Sequence, residues 1–260
     1  MKKIFLALAA LAGTMSMNAQ IVKIMKGGEV VASYTAEQVD SVVFAEEPAI
    51  TTGTAKRTGD IEVAWVQLWK NGPKFAEYNV GATNNKAEDY GGYYCWGGSI
   101  DKDSNAAYKS GTDPLTGTDD TATNLWGSNW RMPTKAELDD LLANCDVVWT
   151  TVNGVKGHKY TGKGNYASNS VFLPAAGFYF SGDVNDQGNF GYIWPSTPGD
   201  SGNAYYLLFG SGKQKVADFS RDLGFSVRAV LVENSAATSY NEGPITIGDG
   251  SGIELGEENW

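Results

Sequence analysis

Trp130-Arg131-Met132-Pro133-Thr134-Lys135-Ala136-Glu137-Leu138-Asp139-Asp140-Leu141-Leu142 is the stretch that decides the fold. Pro133 closes the preceding loop. Thr134 and Glu137 make a capping box, in which each side chain takes up a backbone amide that a helix start leaves unpaired. Leu138, Leu141 and Leu142 fall at i, i+3 and i+4 and form one buried stripe. Glu137, Asp139 and Asp140 lie in the first turns, where the helix dipole favours negative charge. That makes them helix-end electrostatics and a solvated face rather than a catalytic set. No other segment carries so strong a helical pattern.

Outward from this helix the sequence alternates short strands with turns. Apolar and aromatic runs at Val63–Trp69, Tyr93–Cys95, Val147–Trp149, Ser170–Leu173, Ala204–Phe209 and Gly224–Val230 read as strands. The 32 glycines and the 12% of aromatic residues fit many tight turns around aromatic-rich strands. Strand-rich sequence around one prominent helix is an α+β domain.

This main domain spans residues 61–232. Residues 20–45 read as a small β-rich module: a hairpin turning at Lys26-Gly27-Gly28, a capping box over Thr35–Gln38 and a strand over Ser41–Phe44. Residues 46–60, with Pro48, Gly53 and scattered threonines, read as a linker. Residues 233–260 read as an acidic, Gly-rich tail, with a strand as an alternative at Pro244–Ile247.

Residues 1–19 have the three parts of an export signal: Lys2-Lys3, an apolar run from Ile4 to Ala12, and a small-residue exit near Ala19. The run is too short to span a bilayer, which takes about 20 residues. The expectation is an extracytoplasmic protein with no membrane span. The formal net charge is −10, from 20 Lys and Arg against 30 Asp and Glu. Nucleic acid and anionic membranes reward basic residues, so neither is an expected partner. Cys95 and Cys145 are the only cysteines. In an oxidising compartment they can pair, but sequence does not bring their Cα atoms within reach, so a disulfide and two thiols both stand open.

In Glu77–Ala82, Glu88–Tyr94, Trp130–Thr134 with Glu137, Asn153–Gly157, Phe172–Gly177 and Gly224–Arg228, taken in that order, the chain resembles the Fibrobacter succinogenes major paralogous domain family. The resemblance covers about residues 61–232. It implies a C-type-lectin-like fold in a secreted protein of a Bacteroides-like bacterium, with no established chemistry to carry over. Residues 20–45, with Val39–Phe44, similarly resemble an N-terminal module of Bacteroides surface proteins. Cys95 stands where the family has a small residue, so the resemblance does not supply the disulfide.

Most chemistries lack their residues. The formylglycine-generating branch of this fold would need two nearby cysteines late in the chain, and none follows Cys145. His158 is the only histidine, so a nucleophile–histidine arrangement must use it; its plainer reading is a residue of a surface strand. One His and two distant Cys do not make a zinc site. Asp101–Asn105 alternates oxygen ligands, but Ala106 and Thr112 stand where a calcium loop needs Gly and Glu. Calcium is therefore an alternative and not the expectation. Gly210–Lys213 lacks the phosphate-loop spacing.

What remains is a binding surface. The resemblance places a C-type-lectin-like binding face on the loops before the final strands. Tyr179, Asp183, Asn185, Asp186, Asn189, Tyr192 and Trp194, with Asn203 and Tyr205, are the candidate ligand residues there, since aromatic faces beside Asn and Asp suit sugars and proteins. Tyr192 and Trp194 also admit a core reading. The expected function is a non-catalytic binding module for a glycan or surface protein. The alternatives are a structural component of a surface assembly and a glycan-processing enzyme using paired carboxylates.

Overall fold

The computed structural model describes residues 21–26, 29–35, 51–102, 108–200, 202–233, 245–247 and 253–255. The export signal at 1–19, the capping box over Thr35–Gln38, the strand at Ser41–Phe44 and most of the calcium-like loop after Lys102 lie outside them. The chain divides into two compact units: residues 1–48 with 234–260, and Ala49–Glu233.

In the first unit, β1 (Ile21–Lys26) and β2 (Glu29–Thr35) pair antiparallel from Ile21 opposite Thr35 to Lys26 opposite Glu29, with a bulge after Ile24.

The second unit begins with β3 (Thr52–Arg57) and β4 (Ile61–Gln67), a hairpin whose turn holds Gly59 and Asp60 at positive φ. β3 falls inside the stretch expected to be a linker. Its side chains alternate between exposed and half-buried, as on an edge strand with little core to face. Next come β5 (Lys74–Ala76), α1 (Thr121–Trp126), β6 (Trp130–Arg131) and α2 (Lys135–Asn144). β7 (Asp146–Val152), β8 (Val155–Thr161) and β9 (Ser170–Pro174) form an antiparallel meander. The hairpin of β10 (Phe178–Phe180) and β11 (Asp183–Asn185) follows. Then β12 (Phe190–Ile193), β13 (Asn203–Gly210) and β14 (Lys213–Ser220) make a three-stranded antiparallel sheet. β15 (Val230–Leu231) inserts between β5 and β6, so the first sheet runs β3-β4-β5-β15-β6 and joins both ends of the unit. The unit is mostly strand with few helices.

The chain returns to the first unit with β16 (Ile245–Ile247) and β17 (Ile253–Leu255). β17 runs parallel to β1 through Val22 opposite Ile253, giving the order β16-β17-β1-β2. β16 coincides with the strand given as the alternative at Pro244–Ile247, and β17 falls in the stretch expected to be a tail.

Sequence logic explains the helices. α2 carries the capping box in full: Glu137 N donates to Thr134 Oγ1 at 3.1 Å, and Thr134 N donates to Glu137 Oε2 at 2.8 Å. Arg131 forks onto the same carboxylate, with Nη1 to Oε2 at 2.7 Å, so Glu137 is held below its ordinary pKa despite burial. The Arg131–Glu137 segment is thus a structural staple. α1 was not foreseen. Asp120 caps it by accepting from Thr123 N at 2.9 Å, and also accepts from Met132 N, tying α1 to β6. Tyr93–Cys95 is not a strand; only Tyr94 bridges, to Phe225.

Two hydrophobic clusters fill the unit. One is aromatic, built on Trp65, Tyr78, Trp96, Trp126, Trp130, Trp194, Tyr206 and Phe225. The other is largely aliphatic, with Leu68, Leu138, Leu141, Leu173, Leu207, Phe209 and Val230. Arg228, fully buried, ties distant segments together: Nε donates to Asn79 Oδ1, Nη1 to the carbonyls of Ala76 and Glu77, and Nη2 to the Phe172 carbonyl. Burial lowers its pKa, and neutral oxygens take its donors in place of a carboxylate.

Cys95 and Cys145 are buried and not joined by a disulfide. Cys145 ends α2 inside the aliphatic cluster, where burial pushes its thiol up to about 11. The Cys95 sulfur instead fills the turn at Gly98, whose added Cβ would lie 2.5 Å from it.

Candidate functional site

The β10–β11 hairpin is set by its glycines. Gly177 has φ +70, and a Cβ there would meet Asn185 O at 2.0 Å, so the returning arm can close only over glycine. Ser181 and Gly182 both have positive φ, the backbone of a two-residue hairpin turn. Phe178, Tyr179 and Phe180 face Asn185, Val184 and Asp183. Below the hairpin, Tyr93 Oη donates to Ala176 O at 2.7 Å and accepts from Gln187 Nε2 at 2.9 Å. Burial pushes the Tyr93 phenol up to about 12, so it stays a neutral donor. Tyr179 exchanges two backbone hydrogen bonds with Gly224, docking the hairpin on the domain.

The hairpin's outer surface is open. Phe180 is 47% exposed, and Val184, Asp183, Asn185, Asp186 and Asn189 are exposed with it. The Asp186 carbonyl accepts from Asn189 N and Phe190 N, which turns the chain into β12.

β12 then presents Tyr192. Its ring lies nearly parallel to Phe225 at 4.9 Å and to Tyr206 at 5.9 Å, with Phe178 edge-on at 5.3 Å. Its hydroxyl donates to Asp186 Oδ2 at 2.9 Å. Desolvation, then the Asp186 carboxylate, raises its pKa. Register extends this face across the sheet. Tyr192 is opposite Leu208, Leu208 opposite Lys215, Tyr206 opposite Ala217, and Ala204 opposite Phe219. Side chains directly opposite share a face. Tyr192, Leu208 and Ala217 pack on the aromatic cluster and are half-buried, so the cluster reaches the surface here; Phe219, opposite Ala204, is 54% exposed.

The structure separates the sequence-derived candidates. Tyr179, Asp183, Asn185, Asp186, Asn189 and Tyr192 are brought together on and beside the hairpin. Trp194 is not part of that surface: it is 0% exposed, stacks on Phe225 at 4.2 Å, and donates through Nε1 to Tyr94 O at 2.9 Å. Asn203 and Tyr205 lie elsewhere. They project on the opposite face of β13 from Tyr206, and Asn203 is five residues along the strand from the partner of Tyr192, or about 17 Å. Asn203 Nδ2 donates to Asp218, and Tyr205 sits under Lys135 Nζ at 5.1 Å, itself bound to Asp139. The sequence reading missed Phe178, Phe180, Val184, Leu208 and Phe219. The alternation through Ala204, Tyr206 and Leu208 was the signal available for Leu208.

His158 is buried rather than on a surface strand. Nε2 lies 3.0 Å from Gly210 O, an acceptor, so Nε2 carries the proton. Nδ1 faces Tyr160 Oη at 3.3 Å, and Tyr160 donates to Gln214. Burial lowers the His158 pKa, which fits a neutral packing residue between Trp149 and Phe209. Among the described residues, no three His, Cys, Asp or Glu side chains converge to hold a metal, and no helix is long and apolar enough to cross a membrane. No protein-family model, curated protein or solved structure matches the chain.

Proposed function

We propose that this chain is an exported, non-catalytic binding module of a bacterial cell envelope, and that it holds a glycan or a surface protein on a C-type-lectin-like domain. The observation that carries this reading is the half-open pair of Phe178 and Tyr192 beside the exposed Phe180, Val184, Asp183 and Asn185. Aromatic rings backed by a packed core, with carboxylates and amides at their edge, offer contact area at little entropic loss. The prominent helix α2 among short strands, and a hairpin that precedes the final strands, support the fold reading. The export signal read in residues 1–19 supports the location.

The test is a glycan array together with capture of envelope proteins by the full chain. The expected result is a saturable partner for the wild type. It should be lost in the surface double variant Phe180→Ser with Val184→Ser, and weakened in Tyr192→Ala. Binding that survives both changes would move the site elsewhere. No partner in either assay would remove the binding-module reading.

A further inference from the structure

A second cleft lies away from the aromatic face, between the β3–β4 turn and the loop after α1. It is an open groove of about 390 Å³ lined by Lys56, Arg57, Thr58, Asp60, Ser128 and Asn129 beside Trp126. Small-molecule sites run from ~300 to 1,000 Å³. Its walls are fixed: Thr58 N donates to Trp126 O at 2.8 Å, and Asn129 Nδ2 and Trp130 Nε1 both donate to Lys56 O.

Arg57 is the feature that structure alone does not explain. The side chain is half-buried, its guanidinium sits 5.7 Å from the centre of the Trp126 ring, and its Nε is shut from water with no hydrogen-bond partner. A buried donor left without a partner is destabilising and calls for a reason. The neighbouring Lys56 is already paired with Asp60 at 3.3 Å. One guanidinium is therefore left without an anionic partner; its Nε is sealed, so the fork it offers to a ligand carboxylate is the Nη1–Nη2 edge. Asp60 and the chain's acidity disfavour a doubly charged phosphate. The rim groups Thr58, Asp60, Ser128 and Asn129 are exposed and suit hydroxyls.

We infer that this cleft binds a sugar acid, with the carboxylate of a hexuronic acid taken by Arg57 and its hydroxyls by the rim. The site does not depend on the aromatic face.

Methyl glucuronide, titrated into the isotopically labelled full chain, should shift the amides of Gly59, Asp60, Gly127 and Ser128 along a saturable curve. Methyl glucoside at equal concentration should not. Arg57→Gln should weaken the glucuronide at least tenfold, and Arg57→Lys, which keeps the charge without the fork, by less. Both variants should keep the remaining amide spectrum, since Arg57 is on an edge strand. Equal shifts from the glucoside, undiminished binding in Arg57→Gln, or no saturable shift in the wild type would each overturn the inference.

Discussion

On one face of the β12–β13–β14 sheet, Ile193, Leu207, Phe209 and Val216 pack into the aliphatic cluster with Leu138 and Leu141 of α2. On the other, Tyr192, Tyr206, Leu208 and Ala217 join the aromatic cluster, with Tyr192, Leu208 and Ala217 only half-buried, and Phe219, opposite the buried Ala204, is more than half exposed. The same three strands serve both. A helix with a three-leucine stripe closes the first face. The second leans on loops and on the small β10–β11 hairpin, which covers only Tyr192 and its neighbours. The difference teaches where stability and recognition divide: dispersion and burial reward full enclosure, while a partner needs aromatic area already ordered but still open.

The sharpest way to break this comparison is to cut one residue from each face. Leu141→Ala removes a fully buried side chain from under the helix, and such changes cost about 2–5 kcal/mol. Phe219→Ala removes a ring that is more than half exposed, and surface changes usually fall within about 0.5 kcal/mol. Urea unfolding of both variants checks the contrast. A Phe219→Ala loss as large as that of Leu141→Ala would mean that the second face is closed after all.

Acidity should act on the closed side next. His158 packs against Phe209 there, and burial lowers its folded pKa below 6.5. Between that folded value and 6.5 the unfolded chain holds more protons, so stability falls as pH drops through this window. Asp89 and Glu137, with lowered pKa values, lose stability only at more acidic pH. Asp120, raised by burial, acts with the opposite sign. The urea midpoint should therefore decline from pH 7 toward pH 5 in the wild type and decline less in His158→Gln, where an amide replaces the titrating ring. Equal slopes in the two proteins would show that His158 does not titrate on unfolding.

Much of this architecture was readable beforehand where the cause is local. The capping box at Thr134 and Glu137 and the leucine stripe place α2 correctly because both act within two helical turns. Thr52–Arg57 carries no apolar period and so reads as linker; it is a strand because β4 offers a paired edge, a non-local cause. Trp194 shares sequence parity with Tyr192, and both contact Phe225. Parity reports the side of the sheet, whereas depth depends on which loops lie above, and Trp194 is sealed beneath Tyr94. Asn203 and Tyr205 were grouped with Tyr192 by proximity in the chain, but strand register sends them to the far end and the opposite face. The cysteines follow the same rule: two buried thiols say nothing about sharing a neighbourhood until the sheets are assembled.

The smallest expected effect bears most directly on the open face. Tyr192→Phe keeps the ring, its stacking on Phe225 and Tyr206, and the edge contact from Phe178, and deletes only the hydroxyl that donates to Asp186 at 2.9 Å. A hydrogen bond lost at a buried site would strand its acceptor, but Asp186 is exposed and water can replace the phenol. The loss of stability should therefore stay below about 1 kcal/mol. The consequence lies in order rather than in strength: without the hydroxyl, the Asp186 carboxylate is free to leave the edge of Tyr192, and the turn into β12 keeps only the tether of Gln187 to Tyr93. Hydrogen exchange at Asn189 and Phe190, whose amides donate to the Asp186 carbonyl, reads this directly. Faster exchange there with an unchanged urea midpoint is the expected outcome. A midpoint shift comparable to that of Leu141→Ala would show that Tyr192 belongs to the closed core and that the two faces are less different than their cover suggests.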